Sequence, residues 1–385
     1  MTLVLAMHMA NELLTLPVAG LTLAVAGTAV AISSALSRRG LATDKLPLMG
    51  VMGSFVFAAQ MINFTLPFMP GTSGHLGGGV LLAILLGPAT GIVTMAGILI
   101  VQCLLFQDGG LLALGCNIIN MGVIPCLLGW GVYRLMLGRG PSAARQYLSA
   151  WLACLLGVSA GAAMVPVEAA MSGVLRIPFA DFLAVMVGVH LLIGTIEGLI
   201  TFAVLAYLRQ THPQALGLAA PAGAVRLSRP ALAGSLVAVA LLLAGIGSWF
   251  ASTHADGLEW SYRQHRYGGA DRTVAPPSPA IAAVDELQTR YTPLPEYGRR
   301  QTPLGQIPAD APPQAPLAQA QAGVDVAQPS DVVNGWGSLA GLVGTLVTLG
   351  LLFGASVVIR RRRPAAVATV KPGPNPRASP PVGRV

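Results

Sequence analysis

The chain has 385 residues, of which 54% are apolar and 10% charged, with a mean hydropathy of +0.67 and a formal net charge of +8 at pH 7. A soluble domain carries about 25% charged residues, so this composition excludes a soluble globular protein and defines an integral membrane protein. The basic surplus sits in short clusters at the ends of apolar runs, with no aromatic interleaving, which fits the positive-inside rule and argues against a nucleic-acid partner; membrane lipid is the expected surrounding.

Met1–Ala6 is a short apolar lead with neither a basic n-region nor a small-residue cleavage site, so it does not read as a signal peptide. After Met7-His8-Met9-Ala10-Asn11-Glu12, a first apolar run from about Leu13 to Leu36 stops at Ser37-Arg38-Arg39-Gly40. That end is cytoplasmic and the N-terminus outside. A second run, from about Pro47 to Asn63, returns to the outer face and delivers Phe64 to Leu76. Runs near Leu76–Pro88, Ala89–Phe106, Leu111–Leu137, Leu148–Met171 and Phe182–Leu208 complete about seven spans. After a linker, one span near Ala231–Phe250 and another near Trp336–Ile359, ending at Arg360-Arg361-Arg362-Arg363, bracket a long polar outer segment. Rich in Pro, Ala, Gln and Arg, that segment is expected to be largely disordered. The predicted fold class is therefore an all-α polytopic membrane protein. Its divisions are 1–210, a cytoplasmic linker 211–229, a two-helix module 230–363 and a solvated cytoplasmic tail 364–385.

The stretch Gly71-Thr72-Ser73-Gly74-His75-Leu76-Gly77-Gly78-Gly79 places one imidazole on a glycine-rich backbone between apolar runs. Glycines let a chain turn back and approach a bound group closely, and irregular backbone at membrane depth survives where it is packed in protein or lines a cavity. It reads either as a re-entrant binding loop or as a polar inter-helix loop with an incidental histidine. If Met7 is the true first residue, its amine, the next amide nitrogen and the imidazole of His8 close two fused chelate rings, and His75 can fill the fourth place in the plane. Nitrogen ligands in a square plane suit Ni(II) or Cu(II), and Co(II) by stretching the geometry. If Met1–Ala6 is retained, His8 is an ordinary interfacial histidine.

Asn117 and Asn120 lie one helical turn apart in an apolar run, either as outer partners holding the His75 loop or as interhelical hydrogen-bonding groups. His190 and Glu197 share a helix face, and Glu168 is another ionisable group in an apolar setting; none is given a ligand role. Gln107 and Asp108 are expected to be exposed outside, where they attract a cation. Cys103, Cys116, Cys126 and Cys154 lie in apolar runs and read as buried small hydrophobes. The chain has no P-loop, only two lysines (Lys45 and Lys371) and no His-Glu-x-x-His, so ATP hydrolysis would belong to separate subunits.

Several blocks in order resemble the CbiM/NikM family: Met7-His8-Met9, Gly71 to Gly78, Leu81 to Pro88, Phe106-Gln107-Asp108-Gly109-Gly110 and Leu114 to Met121. These are the substrate-binding membrane subunits of energy-coupling factor transporters for cobalt and nickel. The resemblance implies that Met7, His8 and His75 bind the transported Co(II) or Ni(II). It implies no permanent cofactor and no enzymatic activity. It also implies partners, a transmembrane coupling subunit (CbiQ/NikQ-like) and ATP-binding cassette subunits (CbiO/NikO-like). Ala255-Asp256-Gly257-Leu258-Glu259-Trp260 and Pro293-Leu294-Pro295-Glu296-Tyr297 resemble the CbiN/NikN component, with Ala255 where the family usually has Pro. The alternative is a membrane scaffold or assembly factor with structural histidines.

Overall fold

The computed structural model describes residues 8–40, 46–69, 71–138, 142–216, 228–252, 254, 256–258, 277–298 and 335–361. Met7, linker residues 217–227 and the tail from 362 onward lie outside them, and so do the expectations placed on those stretches.

Apolar runs with little internal charge become helices, because in lipid every backbone polar group must be satisfied within the segment. They are α1 (Leu16–Gly40), α2 (Leu46–Gln60), α3 (Gly79–Leu86) and α4 (Pro88–Val101). Then come α5 (Leu114–Asn117), α6 (Trp130–Leu137), α7 (Ala143–Ser172) and α8 (Phe179–Thr211). Wider π-helical turns, Ile118–Val123 and Pro125–Gly129, join α5 to α6 into one rod. The C-terminal part supplies α9 (Arg229–Gly245), α10 (Pro279–Tyr291) and α11 (Gly335–Arg361). A two-stranded hairpin, β1 (Phe64–Thr65) antiparallel to β2 (Ser73–Gly74), precedes the histidine loop.

Among the described residues six helices are long and apolar enough to cross a membrane: Leu16–Arg38, Pro88–Phe106, Leu114–Leu137, Ala143–Ser172, Phe179–Thr211 and Gly335–Ile359. Leu48–Gln60 and Pro230–Gly245 are shorter apolar helices. The protein is thus an all-α polytopic membrane protein. The span expected from Leu76 to Pro88 needs correction, since α3 has only 8 residues. It rises about 12 Å, less than half of a hydrocarbon core of about 30 Å. Gly78, at φ +78°, holds the chain out of helix before α3, and Gly87, at φ +87°, ends it against Pro88.

Helices approach closely where side chains are small, the packing rule in a medium that offers no hydrophobic driving force between helices. A Cβ on Gly157 of α7 would meet Gly129 Cα at 3.4 Å and Val80 Cγ2 at 2.9 Å. One on Gly194 of α8 would lie 3.0 Å from Leu155 Cα of α7. The C-terminal helices α9 and α11 pack on α2, where Gly50 brings its backbone within reach of Leu349 O. All four cysteines are free and buried.

The outer segment expected to be largely disordered lies mostly outside the described residues; within it, residues 277–298 are ordered. Ser278 caps α10, its hydroxyl accepting from Ile281 N, and Pro279 occupies the first turn. Ile281 and Gln288 are buried against the rest of the protein. Low complexity around this stretch hid a short helix with its own start signal.

Candidate metal-capture site

Two irregular segments meet over a cavity of about 90 Å³ lined by His8, His75, Asn117, Asn120, His190 and Glu197, among others. The first is the stretch leading into α1. Met9 N donates to Asn117 Oδ1 at 2.9 Å, and Asn117 Nδ2 returns a bond to Met9 O at 3.2 Å. Asn11 Oδ1 accepts from Leu112 N at 2.7 Å and Ala113 N at 3.3 Å. The chain just after His8 is therefore fixed at two points by hydrogen bonds between amide side chains and main-chain groups. Gly109, at φ +93°, permits the close approach: a Cβ there would lie 2.8 Å from Asn117 Nδ2 and 3.0 Å from His8 Cβ.

His8 is 3% exposed. Its Nδ1 donates to Asp108 Oδ1 at 2.6 Å, since a carboxylate only accepts, and its buried Nε2 has no hydrogen-bond partner among the described residues. The end of α4 delivers Asp108. Gln102–Phe106 widens into a π-helix, Gln107 turns left-handed at φ +56°, and Asp108 N donates back to Gln102 O at 3.1 Å. Tyr297 OH donates to the other carboxylate oxygen at 2.6 Å. Burial alone would raise the Asp108 carboxyl, but the adjacent His8 ring and the hydrogen bonds from His8 and Tyr297 hold it below its ordinary value. Burial, with the Asp108 charge beside it, pushes the Tyr297 hydroxyl well above the usual tyrosine range, so it stays protonated. The exposed cation attractor expected at Gln107 and Asp108 is thereby corrected: both are buried, at 8% and 4% exposure, beneath α10 and the segment that follows it.

The second segment is the glycine loop. Glu197, near the middle of α8 and 1% exposed, accepts from Gly77 N at 2.7 Å and Gly78 N at 3.1 Å. Gln60 Nε2 donates to Gly77 O at 2.8 Å, and Gln102 Nε2 donates to Gln60 Oε1 at 3.0 Å. The loop thus reaches the mid-length of a membrane-crossing helix with its polar backbone satisfied by buried side chains, the condition for irregular backbone at that depth. His75 Nδ1 donates to Leu76 O at 3.2 Å, which puts the lone pair of the neutral ring on Nε2. The His8 and His75 ring centroids are 5.5 Å apart, tilted by 52°.

Of the residues singled out from the sequence, the structure brings His8 and His75 together, with Asn117 beside His8. Asn117 clamps the Met9 backbone rather than the glycine loop, and Asn120 Nδ2 donates to Glu168 Oε2 at 2.7 Å. His190 and Glu197 do not pair: His190 Nδ1 donates to Met186 O at 2.7 Å. Sequence reasoning missed Asn11, the clamp formed by Glu197 and the roles of Gln288 and Tyr297. Among the described residues no three His, Cys, Asp or Glu side chains cluster as a metal site. The chelate expected from the sequence draws on main-chain nitrogens, so only two imidazoles are asked of the side chains.

The fold and cavity define a multi-pass membrane protein with a buried, imidazole-lined chamber between its N-terminal stretch and a glycine loop. The family described as the cobalt uptake substrate-specific transmembrane region, CbiM, matches residues 8–215, and the PDGLE domain matches residues 231–361. The chain belongs to the CbiM family, as a fusion with a PDGLE module. The fused nickel transport protein NikMN of Rhodobacter capsulatus is 30% identical over 289 residues, 70% of this chain and 83% of that protein. The cobalt transport protein CbiM of Geobacter sulfurreducens is 32% identical over 227 residues, 55% of this chain and 62% of that one. The crystal structure of a truncated transition-metal transporter is similar at a TM-score of 0.46 and 28% identity, covering 52% of this chain and 97% of that one.

Proposed function

We propose that this chain captures Co(II) or Ni(II) with high affinity at the outer membrane face, as the substrate-binding subunit of an energy-coupling factor transporter. A transmembrane coupling subunit and ATP-binding cassette subunits drive its import. One observation carries the reading: the His8 and His75 rings lie 5.5 Å apart on one cavity, with a buried His8 nitrogen that no group among the described residues satisfies. Two imidazoles meeting over one chamber are ligands that a metal ion fits.

In this reading the Met7 amine, the His8 amide and imidazole and the His75 imidazole form a square of nitrogens. The larger chelate ring closes through Nδ1 of His8, the atom now on Asp108. A half-turn of the imidazole about Cβ–Cγ moves Nδ1 to the opposite edge of the ring and brings Nε2 to the Asp108 edge. Asp108 then plays the part of the carboxylate that orients a ligating histidine through its other nitrogen. The N-terminus faces outside and the C-terminus the cytoplasm. Residues 1–210 form the metal-binding domain, 211–229 a linker, 230–363 the PDGLE module and 364–385 a cytoplasmic tail.

The test is His75→Ala in the purified full chain, measured by Ni(II) and Co(II) titration. Binding should be lost while the melting temperature stays within a few degrees of wild type; unchanged binding removes the loop from the site. Intact-mass measurement should find Met7 as the first residue. Metal uptake with and without the ATPase subunits separates a transporter from a scaffold.

A further inference from the structure

We infer that Tyr297, carried by the PDGLE module, is a positioning residue for metal capture, fixing Asp108 and through it the imidazole of His8. The inference rests on the metal-capture reading above. Asp108 is held from both sides: Oδ1 accepts from His8 Nδ1 and Oδ2 from Tyr297 OH, each at 2.6 Å. A carboxylate held at one oxygen can rotate about its Cβ–Cγ bond, whereas one held at both cannot. The carboxylate that faces the His8 ring is therefore fixed by a hydroxyl 189 positions away from Asp108 in the chain; it meets Nδ1 in this structure and Nε2 once the ring has turned to bind metal.

Three further observations separate positioning from simple anchoring. The Tyr297 ring stacks on Phe106 at 4.7 Å and 17°, and Phe106 is fully buried two residues before Asp108, so one short segment fixes both ring and hydroxyl partner. Glu296 and Tyr297 are consecutive non-glycine residues with left-handed backbones, at φ +51° and +57°. Such strain persists where the surroundings over-determine it, and it gathers at functional sites. Lastly, the segment is already fastened without the hydroxyl. Gln288 Nε2 donates to Cys103 O at 3.2 Å and Gly109 O at 2.9 Å, Gln288 Oε1 accepts from Leu111 N at 2.9 Å, and Leu294 N donates to Leu105 O at 3.1 Å. Asn11 Nδ2 also donates to Asp285. What the hydroxyl adds is its bond to Asp108, with a further hydrogen bond to the Gln102 side chain.

Outer partners of metal-binding histidines commonly change metal affinity by about 10–100-fold, and Tyr297 acts one bond further out, so its share belongs at the lower end. The experiment uses the full chain in lipid nanodiscs with Ni(II) as the probe. Tyr297→Phe keeps the stack on Phe106 and removes only the hydroxyl. It should weaken Ni(II) binding by about tenfold and shift the ligand-field absorption of the bound ion. In an Asp108→Asn background the same change should add nothing. Equal affinity and an unshifted spectrum in Tyr297→Phe, with wild type binding normally, would overturn the inference. So would a loss of equal size in the Asp108→Asn background, which would assign Tyr297 to anchoring. Failure of wild type to retain Ni(II) strikes the metal-capture reading instead.

Discussion

Glu197→Gln tests how the histidine loop is held. Glu197 is 1% exposed and its two carboxylate oxygens accept separately from Gly77 N and Gly78 N, at 2.7 and 3.1 Å. Glutamine preserves the shape but replaces one acceptor with an amide that donates, so one main-chain N–H faces another donor. A hydrogen bond to a charged group contributes about 1.5–3 kcal/mol, and a buried donor left unsatisfied costs about 1–3 kcal/mol. A loss of about 2 kcal/mol is therefore expected, against a total stability for a domain of roughly 5–15 kcal/mol. If that loss falls on the loop conformation that presents His75, Ni(II) affinity drops by about thirtyfold, since each 1.4 kcal/mol is a factor of ten. Isothermal titration of the detergent-solubilised protein with Ni(II), beside a thermal melt, reads both effects. Wild-type affinity and melting in Glu197→Gln would refute the claim that this carboxylate holds the loop.

Gly78→Ala forces a side chain onto a residue at φ +78° and sets its Cβ 2.5 Å from Val56 Cγ1. Strain of about 1–2 kcal/mol from the backbone alone should lower the melting temperature and weaken metal binding together. Asn117→Ala removes both bonds to the Met9 main chain. Faster amide hydrogen exchange confined to residues 8–14 and weaker Ni(II) retention are expected; exchange unchanged there would show that Asn11 alone holds the stretch. Burial raises the Asp285 carboxyl above its ordinary value, partly offset by the bond from Asn11. A folded-state value above the unfolded one gives stability that is fully present below the ordinary aspartate range and is lost as pH rises through the raised value. The difference between wild-type and Asp285→Asn melting profiles should trace that loss, because the amide still accepts from Asn11 but does not titrate; parallel profiles across that window would refute it. Asp108, held low, works in the opposite sense and cancels in that difference.

The apolar runs and the arginine clusters that bound them already define a polytopic helical membrane protein, because burying peptide groups in lipid leaves helix as the solution for such runs. The glycine loop with its single imidazole, and the histidine beside the first run, were legible too, since an ionisable side chain between apolar segments is conspicuous by contrast. The length of α3 was not. Leu81 to Leu86 reads like the start of any span, and it stops short because Gly87 turns the chain after 8 residues.

What the tertiary structure alone decided is who satisfies the buried polar atoms. Glu197 belongs to the glycine loop rather than to His190, seven residues away on its own helix. Asp108, which reads as an exposed acid next to two glycines, is sealed by Tyr297 and joined to His8. Asn11 links three parts of the chain at once. Local sequence sets helix and membrane depth because those depend on neighbours along the chain. Hydrogen bonds formed across a hundred or more residues leave no periodic trace, and only the packing of helices brings their two halves within 3 Å of each other.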